Sequence, residues 1–397
     1  MSGVGRTAWQ MWVDDACDQV AAAGRWRSPR PFDARGHEGL LVVDPSEPPR
    51  RVVSFASNDY LGLASHPAVV DGAREALDRW GAGSGASRLV TGSRPVHHEL
   101  EAAVADWKRT EAAVVTPTGF AANLSVLSVV ASGGTAVVHS DELNHASIID
   151  GCRLARAQVR IHPHGDLAAL DVALAAVSGP SVVVSDTVFS MDGDACDLDG
   201  LVEVAGRHGA LLVLDEAHAV LGPELAEPPG VDVLRVGTLS KTLGSVGGFV
   251  AGPQRFVDLL VNRARPYIFT TAPTPADAGA ALAALGLLRS DEGDALRARL
   301  VGLVTRVAAA IGMDDHPSPI LPVVIGDEAD AMAASTSLLA QGLWVPAIRP
   351  PTVPPGTSRL RITLSATHSD QQVDRLLDGL AGLAPFTDRA RGVGSAA

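Results

Sequence analysis

From about residue 50 onward, short apolar runs alternate along the chain with longer Ala- and Leu-rich segments. These runs are continuously apolar rather than alternating, which is typical of strands buried on both faces. The predicted strands are 112–116, 135–139, 181–186, 210–215, 233–238 and 247–252. The predicted helices between them are 96–108, 119–131, 144–155, 166–177 and 199–208. Strand–helix alternation on this scale predicts a parallel sheet with helices on both faces.

After about residue 275 the pattern predicts a smaller unit with its own sheet. Its predicted helices are 274–290, 293–311, 327–341 and 369–383, and its strand-like runs are 318–326, 342–348 and 359–364. An amphipathic helix is expected over 6–24, and residues 388–397 are expected to fray. We therefore expect an α/β protein with an N-terminal helix and arm over 1–50, a large domain over 51–280 and a smaller α+β domain over 281–397.

Composition and charge exclude several classes of function. The chain has 397 residues, of which 46% are hydrophobic and 19% charged, as in an ordinary globular protein. Its net charge of −13 disfavours nucleic acid as a partner. The cysteines Cys17, Cys152 and Cys196 form no CxxC, which argues against a disulfide scaffold or a cysteine zinc site. With neither a signal-like N-terminus nor an apolar stretch of about 18 residues, we expect the cytosol and no membrane partner.

Three segments suggest known binding motifs but do not match the residues or the spacing that those motifs require. The glycines of segment 81–92 (GAGSGASRLVTG) do not give G-x-G-x-x-G, and no predicted strand directly precedes them. Lys241 lies in an SKT triplet, but the residue before it is serine rather than the glycine of a P-loop. His162 and His164 have no third ligand at a recognisable spacing, so no metal is expected. A nicotinamide or nucleotide enzyme is therefore disfavoured.

Two charged residues that follow buried strands suggest a cofactor. Asp215 ends the run 210–215, and a carboxylate there could hold a proton on a pyridine nitrogen, although a helix N-cap is an equal alternative for this residue alone. Lys241 follows the run 233–238, and a partly buried lysine has a lowered pKa that suits a Schiff base. A lone lysine is more often an exposed charge, but the spacing Asp215-x-x-His218 to Lys241 favours pyridoxal phosphate (PLP).

Two loops add to this hypothesis. Gly119, in TPTGFAAN (116–123), stands where a strand gives way to a helix, and main-chain N–H groups there could bind a phosphate. His145, in SDELNHAS (140–147), could stack on the pyridine ring and act as an acid. Taken singly, an ordinary capped turn and an ordinary loop histidine are the alternatives.

Together these segments resemble the α-oxoamine synthases, PLP-dependent enzymes of the aspartate aminotransferase fold (fold type I). The resemblance runs from about Ser54 to about Ser369. The segments that carry it are SNDYLGL, GAGSGASRLVTG, HHELE, TGFAAN, NHAS, VFSMDGD, DEAH, TLSKTLG and RLRITL. It implies a large, mostly parallel sheet of seven strands, a smaller α+β C-terminal domain, and a homodimer with active sites at the subunit interface.

The resemblance also implies a role for each matching residue. Lys241 would form the Schiff base, Asp215 would hold the pyridine nitrogen, His218 would contact the 3′-oxygen, and His145 would stack on the ring and donate a proton. The implied phosphate contacts are Gly119, Phe120, Thr238 and Ser240, with Thr270 and Thr271 of the FTTAP segment serving the neighbouring subunit. Ser190 would lie near the ring. The implied substrate contacts are Asn58 and Arg361 for the amino acid, with Arg361 on its carboxylate, Thr352, and Arg25 or Arg27 for the acyl-CoA end.

Segment 347–363 (AIRPPTVPPGTSRLRIT) is most similar to the branch of the family that joins L-alanine to a pimeloyl thioester of CoA or a carrier. The alternative is a sister synthase that uses glycine or serine with another acyl-CoA. A non-catalytic PLP-binding regulator is disfavoured, because the N-terminus is too short for a DNA-binding domain. The sequence departs from the family at Ala219, where glycine is usual, and in the loop 219–236, which is short.

Overall fold

The structure is a computed structural model, and it describes residues 6–225 and 230–383. Its strands are β1 (Phe32–Ala34), β2 (Glu38–Leu41), β3 (Arg50–Ser54), β4 (Ala112–Thr116), β5 (Val137–Asp141), β6 (Gln158–His162), β7 (Ser181–Asp186), β8 (Leu211–Asp215), β9 (Val233–Thr238), β10 (Gly248–Gly252), β11 (Ile320–Gly326), β12 (Leu343–Trp344), β13 (Ala347–Ile348) and β14 (Ser358–Thr363). The six strands predicted in the first part of the chain are all present, and only 135–139 is displaced, by two residues, to β5.

Helices separate these strands as expected. They are α1 (Ala8–Ala22), α2 (Pro67–Trp80), α3 (Pro95–Lys108), α4 (Gly119–Val130), α5 (Ala146–Ala155), α6 (Leu167–Ala175), α7 (Leu198–Arg207), α8 (Gln254–Arg263), α9 (Arg265–Ile268), α10 (Pro275–Leu288), α11 (Asp291–Ala310), α12 (Glu328–Ala340) and α13 (Asp370–Ala381). The helix predicted over 6–24 is present as α1, although none of its residues is buried. The helices α2, α8 and α9 were not predicted.

The central sheet has seven strands in the order β4-β10-β9-β8-β7-β5-β6. Neighbouring strands from β9 to β6 run parallel, whereas β10 runs antiparallel to both β4 and β9. The expectation of a large, mostly parallel seven-stranded sheet is therefore confirmed. The edge strand β6 was not predicted, because its sequence QVRIH mixes polar and apolar residues where one side of the strand lacks a partner.

Two smaller sheets complete the fold. The strands β11, β14 and β13 form an antiparallel sheet near the C-terminus. A second sheet has the order β1-β2-β3-β12, in which Val53 of β3 pairs in parallel with Leu343 of β12. The strands of the N-terminal segment were not predicted, because they are short and mostly exposed. The three-part division of the chain stays a prediction, and residues 388–397 lie outside the described residues.

The core holds the central sheet between two layers of helices. One face packs Val138, Val184 and Val213 with apolar side chains of α4 and α5, and the opposite face packs residues such as Val183 and Leu212 with α6 and α7. Burying one such side chain contributes about 1.5–3 kcal/mol. Since β4, β5, β7, β8 and β9 all point the same way, their carboxyl ends meet at one edge of the sheet. Ligands bind at this edge in open α/β sheets.

Candidate active site

The predicted cofactor residues lie at this edge of the sheet. Asp215 is the last residue of β8, and Lys241 comes three residues after the end of β9. His145 is the N-cap residue of α5, beyond β5, and Gly119 is the first residue of α4, beyond β4. The topology therefore gathers groups that are up to 122 positions apart in the sequence around one crevice.

Lys241 is half-buried, and its Nζ lies 2.7 Å from Nε2 of His218. Burial lowers the pKa of Lys241 to about 8, although the negative charges of Asp215 and Asp186 act in the opposite direction. A lysine with such a pKa is a usable nucleophile and base near neutral pH. The chain has one other lysine, Lys108, whose Nζ lies 2.6 Å from a carboxylate oxygen of Glu216.

His218 connects Lys241 to a chain of hydrogen bonds that sequence analysis did not predict. Burial, together with the positive charge of Lys241, lowers the pKa of His218 well below its ordinary value, so the ring is neutral. With Nε2 accepting from Lys241, Nδ1–H is left to donate to the Tyr60 hydroxyl, 2.5 Å away. Tyr60 in turn donates to Oδ1 of Asn58 at 3.2 Å, and the same oxygen accepts from Nη2 of Arg361 at 3.2 Å.

Asp215 is 5% exposed, and both of its carboxylate oxygens have donors. Oδ2 accepts from Nδ2 of Asn123 at 2.6 Å, and Oδ1 accepts from the main-chain N–H of Ala217 at 2.9 Å. Because residues 216–225 form no helix, the alternative of Asp215 as a helix N-cap is wrong. Two donors to an acceptor-only group favour an ionised carboxylate, which suits the protonated nitrogen of a pyridine ring.

His145 is held by its own turn and by a second buried aspartate. Its Nδ1 lies 2.7 Å from the Ser147 hydroxyl, and its main-chain N–H donates to Oδ2 of Asp186 at 2.7 Å. Burial lowers the pKa of His145, so its ring is neutral near pH 7. Burial and the charge of Asp215 raise the pKa of Asp186 well above its ordinary value.

Three residues of the site were missed from the sequence: Tyr60, Asn123 and Asp186. A signal for Asp186 was present, since it ends a buried strand just as Asp215 does. Asn123 lies in the TGFAAN segment, one helical turn after Gly119, but its hydrogen bond to Asp215 spans 92 positions.

The start of α4 offers a group of hydroxyl and main-chain donors. A Cβ atom added to Gly119 would lie 3.1 Å from Cβ of Thr238, so the start of α4 lies close to the end of β9. The Thr238 hydroxyl lies 2.7 Å from the Ser240 hydroxyl, and the ring of Phe120 meets that of His145 edge-on at 6.5 Å. Hydroxyls beside a helix N-terminus fit a phosphate, and with Lys241 and Asp215 they fit a phosphorylated pyridine aldehyde.

Arg361 forms the opposite end of the site. It is 6% exposed, and its Nε donates to the carbonyl of Ser190 at 2.6 Å. Its Nη1 donates to Thr363 at 2.9 Å. These contacts, with that to Asn58, hold a guanidinium next to the Lys241 chain, where it could bind a carboxylate.

The remaining predicted residues are described by contacts to groups other than Lys241. Arg25 pairs with Glu328 at 3.1 Å, while the carbonyl of the preceding residue, Gly24, accepts from Arg349. Thr352 donates its main-chain N–H to the carbonyl of Arg349, so the N-terminal arm and the Pro-rich loop share one surface. The segment 269–273 carries Thr270 and Thr271, and it is held through Ala272 and Pro273 against residues 84–86 and His97. Within the described residues, none of Arg25, Thr270, Thr271 and Thr352 hydrogen-bonds to the side chain of Lys241.

Residues 6–225 and 230–383 contain neither a metal-ligand cluster nor a membrane-spanning helix. No group of three or more His, Cys, Asp or Glu side chains in these ranges is placed to hold a metal ion. In the same ranges no helix has the length and apolar character needed to cross a membrane.

The fold and the arrangement of Lys241 and Asp215 define a PLP-dependent enzyme. The family model for aminotransferase class I and II matches residues 50–380, and the chain belongs to this family. Among curated proteins it is similar to an 8-amino-7-oxononanoate synthase of Bordetella petrii, with 47% identity over 83% of this chain and 88% of that one. A second, from Burkholderia thailandensis, is 48% identical over 82% of this chain and 87% of its own.

Solved structures agree with this assignment. A serine palmitoyltransferase with PLP bound is 28% identical and superposes with a TM-score of 0.86, covering 98% of this chain and 100% of that chain. The serine palmitoyltransferase of Sphingomonas wittichii is 30% identical with a TM-score of 0.84, covering 98% of both chains. An 8-amino-7-oxononanoate synthase from Francisella tularensis is 26% identical with a TM-score of 0.70, covering 85% of this chain and 98% of its own.

Proposed function

We propose that this protein condenses L-alanine with a pimeloyl thioester to give 8-amino-7-oxononanoate, CO₂ and the free thiol, a reaction of biotin biosynthesis. The observation that carries the proposal is the chain of contacts from Lys241 through His218, Tyr60 and Asn58 to Arg361. This chain links an amine of lowered pKa to a buried guanidinium, and that combination supports the binding of an amino acid. The choice of substrates is supported by the name shared by the relatives at 47–48% identity.

In this reaction a carbon–carbon bond forms between Cα of alanine and the carbonyl carbon of the thioester. The thiolate leaves from that carbonyl, and the alanine carboxylate leaves as CO₂, so the product keeps the amino group and methyl group of alanine. When bound, PLP supplies an electron sink for the charge that develops at Cα. The protein has to bind alanine in one orientation, move protons and exclude water.

Each of these tasks has a group in the site. Nζ of Lys241 takes the Cα proton and later returns one, for which a pKa of about 8 is suited. The Asp215 carboxylate, held by Asn123, keeps the pyridine nitrogen protonated. The guanidinium of Arg361 binds the alanine carboxylate. Nε2 of His145 has no hydrogen-bond partner among the described residues, so it is free to donate a proton to the new keto oxygen.

The remaining predicted contacts belong to the same proposal. When PLP is bound, its phosphate would be held by Gly119, Phe120, Thr238 and Ser240, and Ser190 would lie near its ring. Arg25, with Arg27 as the alternative, and Thr352 serve the acyl thioester. Their support is the shared surface formed by the arm and the Pro-rich loop.

A second candidate is a sister synthase that uses serine or glycine with another acyl-CoA. It is supported by the serine palmitoyltransferase structures, which superpose over more of this chain than the Francisella tularensis enzyme does. The higher identity to the 8-amino-7-oxononanoate synthases favours the first candidate, since substrate choice depends on side chains rather than on backbone shape.

Release of free thiol by the PLP-loaded protein separates the two candidates. Alanine, glycine and serine are each tested with pimeloyl-, succinyl-, acetyl- and palmitoyl-CoA, and with a pimeloyl-carrier thioester. We expect release with alanine and a pimeloyl thioester. Release with another pair of substrates alone would show that the protein is a sister synthase. No release from any pair would contradict the proposal.

The role of Lys241 has a sharp test, because the chain contains two lysines. Borohydride reduction of the PLP-loaded protein, followed by peptide mass mapping, should place the cofactor on Lys241 and leave Lys108 unmodified. Lys241→Ala should lose both the trapped cofactor and, by at least about 10²–10⁴-fold, the activity. A Lys241→Ala protein that stays yellow and active would contradict the assignment.

We also propose a cytosolic homodimer in which Thr270 and Thr271 contact the cofactor phosphate of the neighbouring subunit. In support, the adjacent Phe269 is 70% exposed in the single chain. Light scattering of the purified protein tests the dimer, and weakened PLP binding in Thr270→Ala tests the contact. A monomer with full activity would contradict both statements.

A further inference from the structure

The 187–196 hairpin, which contains the VFSMDGD segment, connects the central sheet to the C-terminal sheet. Val188 pairs with Ala195, and the main-chain N–H of Cys196 donates to the carbonyl of Thr187 at 3.1 Å. The base of the hairpin is joined to the candidate active site, because both the N–H and the hydroxyl of Thr187 donate to the carbonyl of Asp215.

On one side the hairpin contacts the C-terminal sheet. Its Ser190 carbonyl accepts from Nε of Arg361 at 2.6 Å, and Asp192 pairs with Arg359 from the same strand. Gly193 has a φ of +72°, and a Cβ atom there would lie 2.0 Å from the carbonyl oxygen of Ile320. The hairpin therefore supplies one of the three hydrogen bonds that hold the Arg361 guanidinium, and it has little room to move toward β11.

On the other side His164 joins the Asp194 end of the hairpin to β5 of the central sheet. Nε2 of His164 lies 2.7 Å from Oδ2 of Asp194 in the hairpin, and Nδ1 lies 3.0 Å from Oδ1 of Asp141 at the end of β5. The His164 ring also meets Phe189 edge-on at 4.4 Å. Ionised carboxylates only accept hydrogen bonds, so this geometry requires a hydrogen on both ring nitrogens, that is, an imidazolium.

We propose that His164 is a positioning residue for amino-acid binding: its imidazolium joins the 187–196 hairpin to β5, and the hairpin holds Arg361 in place. The inference rests on the proposed function, in which Arg361 binds the substrate carboxylate. His164 itself touches neither the substrate nor the cofactor site, since its partners are Asp141 and Asp194.

The titration of His164 gives this role a pH dependence. Burial lowers the pKa of His164, but the hydrogen bonds to Asp194 and Asp141 outweigh it and hold the pKa above its ordinary value. Glu142 accepts from the main-chain N–H of His164, and Asp194 also acts on the charge of His316. As the pH rises through this pKa, one nitrogen becomes an acceptor facing a carboxylate, and one of the two contacts is lost.

The test measures amino-acid affinity rather than turnover. The visible absorption of the PLP-loaded protein is titrated with L-alanine from about pH 6 to about pH 9, across the range in which histidines titrate. From the acid to the alkaline end of this range, the Kd of the wild type for L-alanine should rise several-fold more than the Kd of His164→Gln. At the acid end of the range the wild type has the imidazolium and the variant lacks it. His164→Gln should therefore bind L-alanine about tenfold more weakly than the wild type there. A Kd that is equal in the two proteins at every pH would overturn the inference.

A matched control is His208→Ala, because His208 also pairs with an aspartate, Asp171, at 2.8 Å but lies away from the hairpin. The Kd of His208→Ala for L-alanine should equal that of the wild type at every pH. If His164→Gln fails to fold, Asp194→Asn keeps the histidine and weakens the same contact, and it should raise the Kd in the same direction. A Kd for Asp194→Asn equal to that of the wild type would also overturn the inference.

A second readout separates this inference from the proposed function. In the PLP-loaded protein with isotope-labelled histidine, the resonance that disappears in His164→Gln should titrate above pH 6.5, and Asp194→Asn should lower its midpoint. A midpoint below 6.5 would overturn the inference while leaving the function intact. If alanine, glycine and serine all fail to change the spectrum, the proposed function falls, even where this resonance titrates as expected.

Discussion

Nδ2 of Asn123 lies 2.6 Å from Oδ2 of Asp215, and the same amide nitrogen lies 2.9 Å from the Ser147 hydroxyl. One side chain of α4 therefore orients both the Asp215 carboxylate and the turn that carries His145. Both contacts are buried, so their loss is not replaced by water.

We expect Asn123→Ala to lower kcat/KM by about ten- to a hundredfold, because a buried hydrogen bond to a charged group contributes roughly 1.5–3 kcal/mol. The absorption of the bound cofactor should also change with pH, since the carboxylate is less firmly held. Ser125→Ala, on the same helix with its hydroxyl bonded to the carbonyl of Ala121, is the matched control. An Asn123→Ala protein with the kinetics and spectrum of the control would refute this prediction.

The lowered pKa of Lys241 predicts how its amine reacts in the protein without cofactor. Modification by an amine reagent should increase with pH and reach half its maximal rate near pH 8 rather than near 10.5. Asp215→Asn should move this midpoint lower, because the carboxylate stabilises the ammonium form. Modification is followed by the mass of the peptide that contains Lys241, and a midpoint near 10.5 in the wild type would show that the lysine is solvated.

Arg361→Lys should raise the KM for the amino acid by about ten- to a hundredfold and leave the KM for the thioester nearly unchanged. Lysine cannot keep the Nε contact to Ser190 and at the same time present a planar fork to a carboxylate. The control is Arg375→Lys, at an exposed arginine that donates to the carbonyl of Gln341. Equal increases in both KM values would show that the substitution disturbs the whole site rather than carboxylate binding.

His37 and His368 predict a loss of stability in acid. Their buried rings lie 4.5 Å apart, and burial lowers the pKa of His37 to about 4 and that of His368 to about 3. The unfolded chain binds protons at these positions below about pH 6.5, whereas the folded chain does not. The free energy of unfolding should therefore fall as the pH drops from about 6.5 to about 4, with His37 accounting for about 3 kcal/mol.

Urea unfolding at a series of pH values measures this effect. In His37→Leu the free energy of unfolding should fall less between about pH 6.5 and about pH 4, because the contribution of His37 is removed. A surface variant such as His208→Ala should show most of the wild-type decrease. A curve for His37→Leu parallel to that of the wild type would show that His37 is not buried in its neutral form.

The sequence was enough to predict six of the seven strands of the central sheet and the charged groups at its edge. The runs LLVL of β8 and GFVAG of β10 are continuously apolar because both faces of these strands are covered, and this pattern is local, so it is visible without a structure. Parallel strands share one direction, so residues that directly follow them, such as Asp215 and Lys241, are expected at the same edge. The family resemblance then added roles that periodicity does not give.

Tertiary structure decided the contacts that act on these groups. Tyr60 reaches His218 across 158 positions, and Arg361 reaches Asn58 across 303. The pairing of β3 with β12, and the pair of contacts from His164, likewise join segments distant in the chain. Local periodicity carries information on which face of an element is buried, but not on which distant side chain meets it there. The sequence by itself therefore determined the sheet and the chemistry at its edge, and the packing of distant segments determined the pKa values and the orientation of the groups that carry it out.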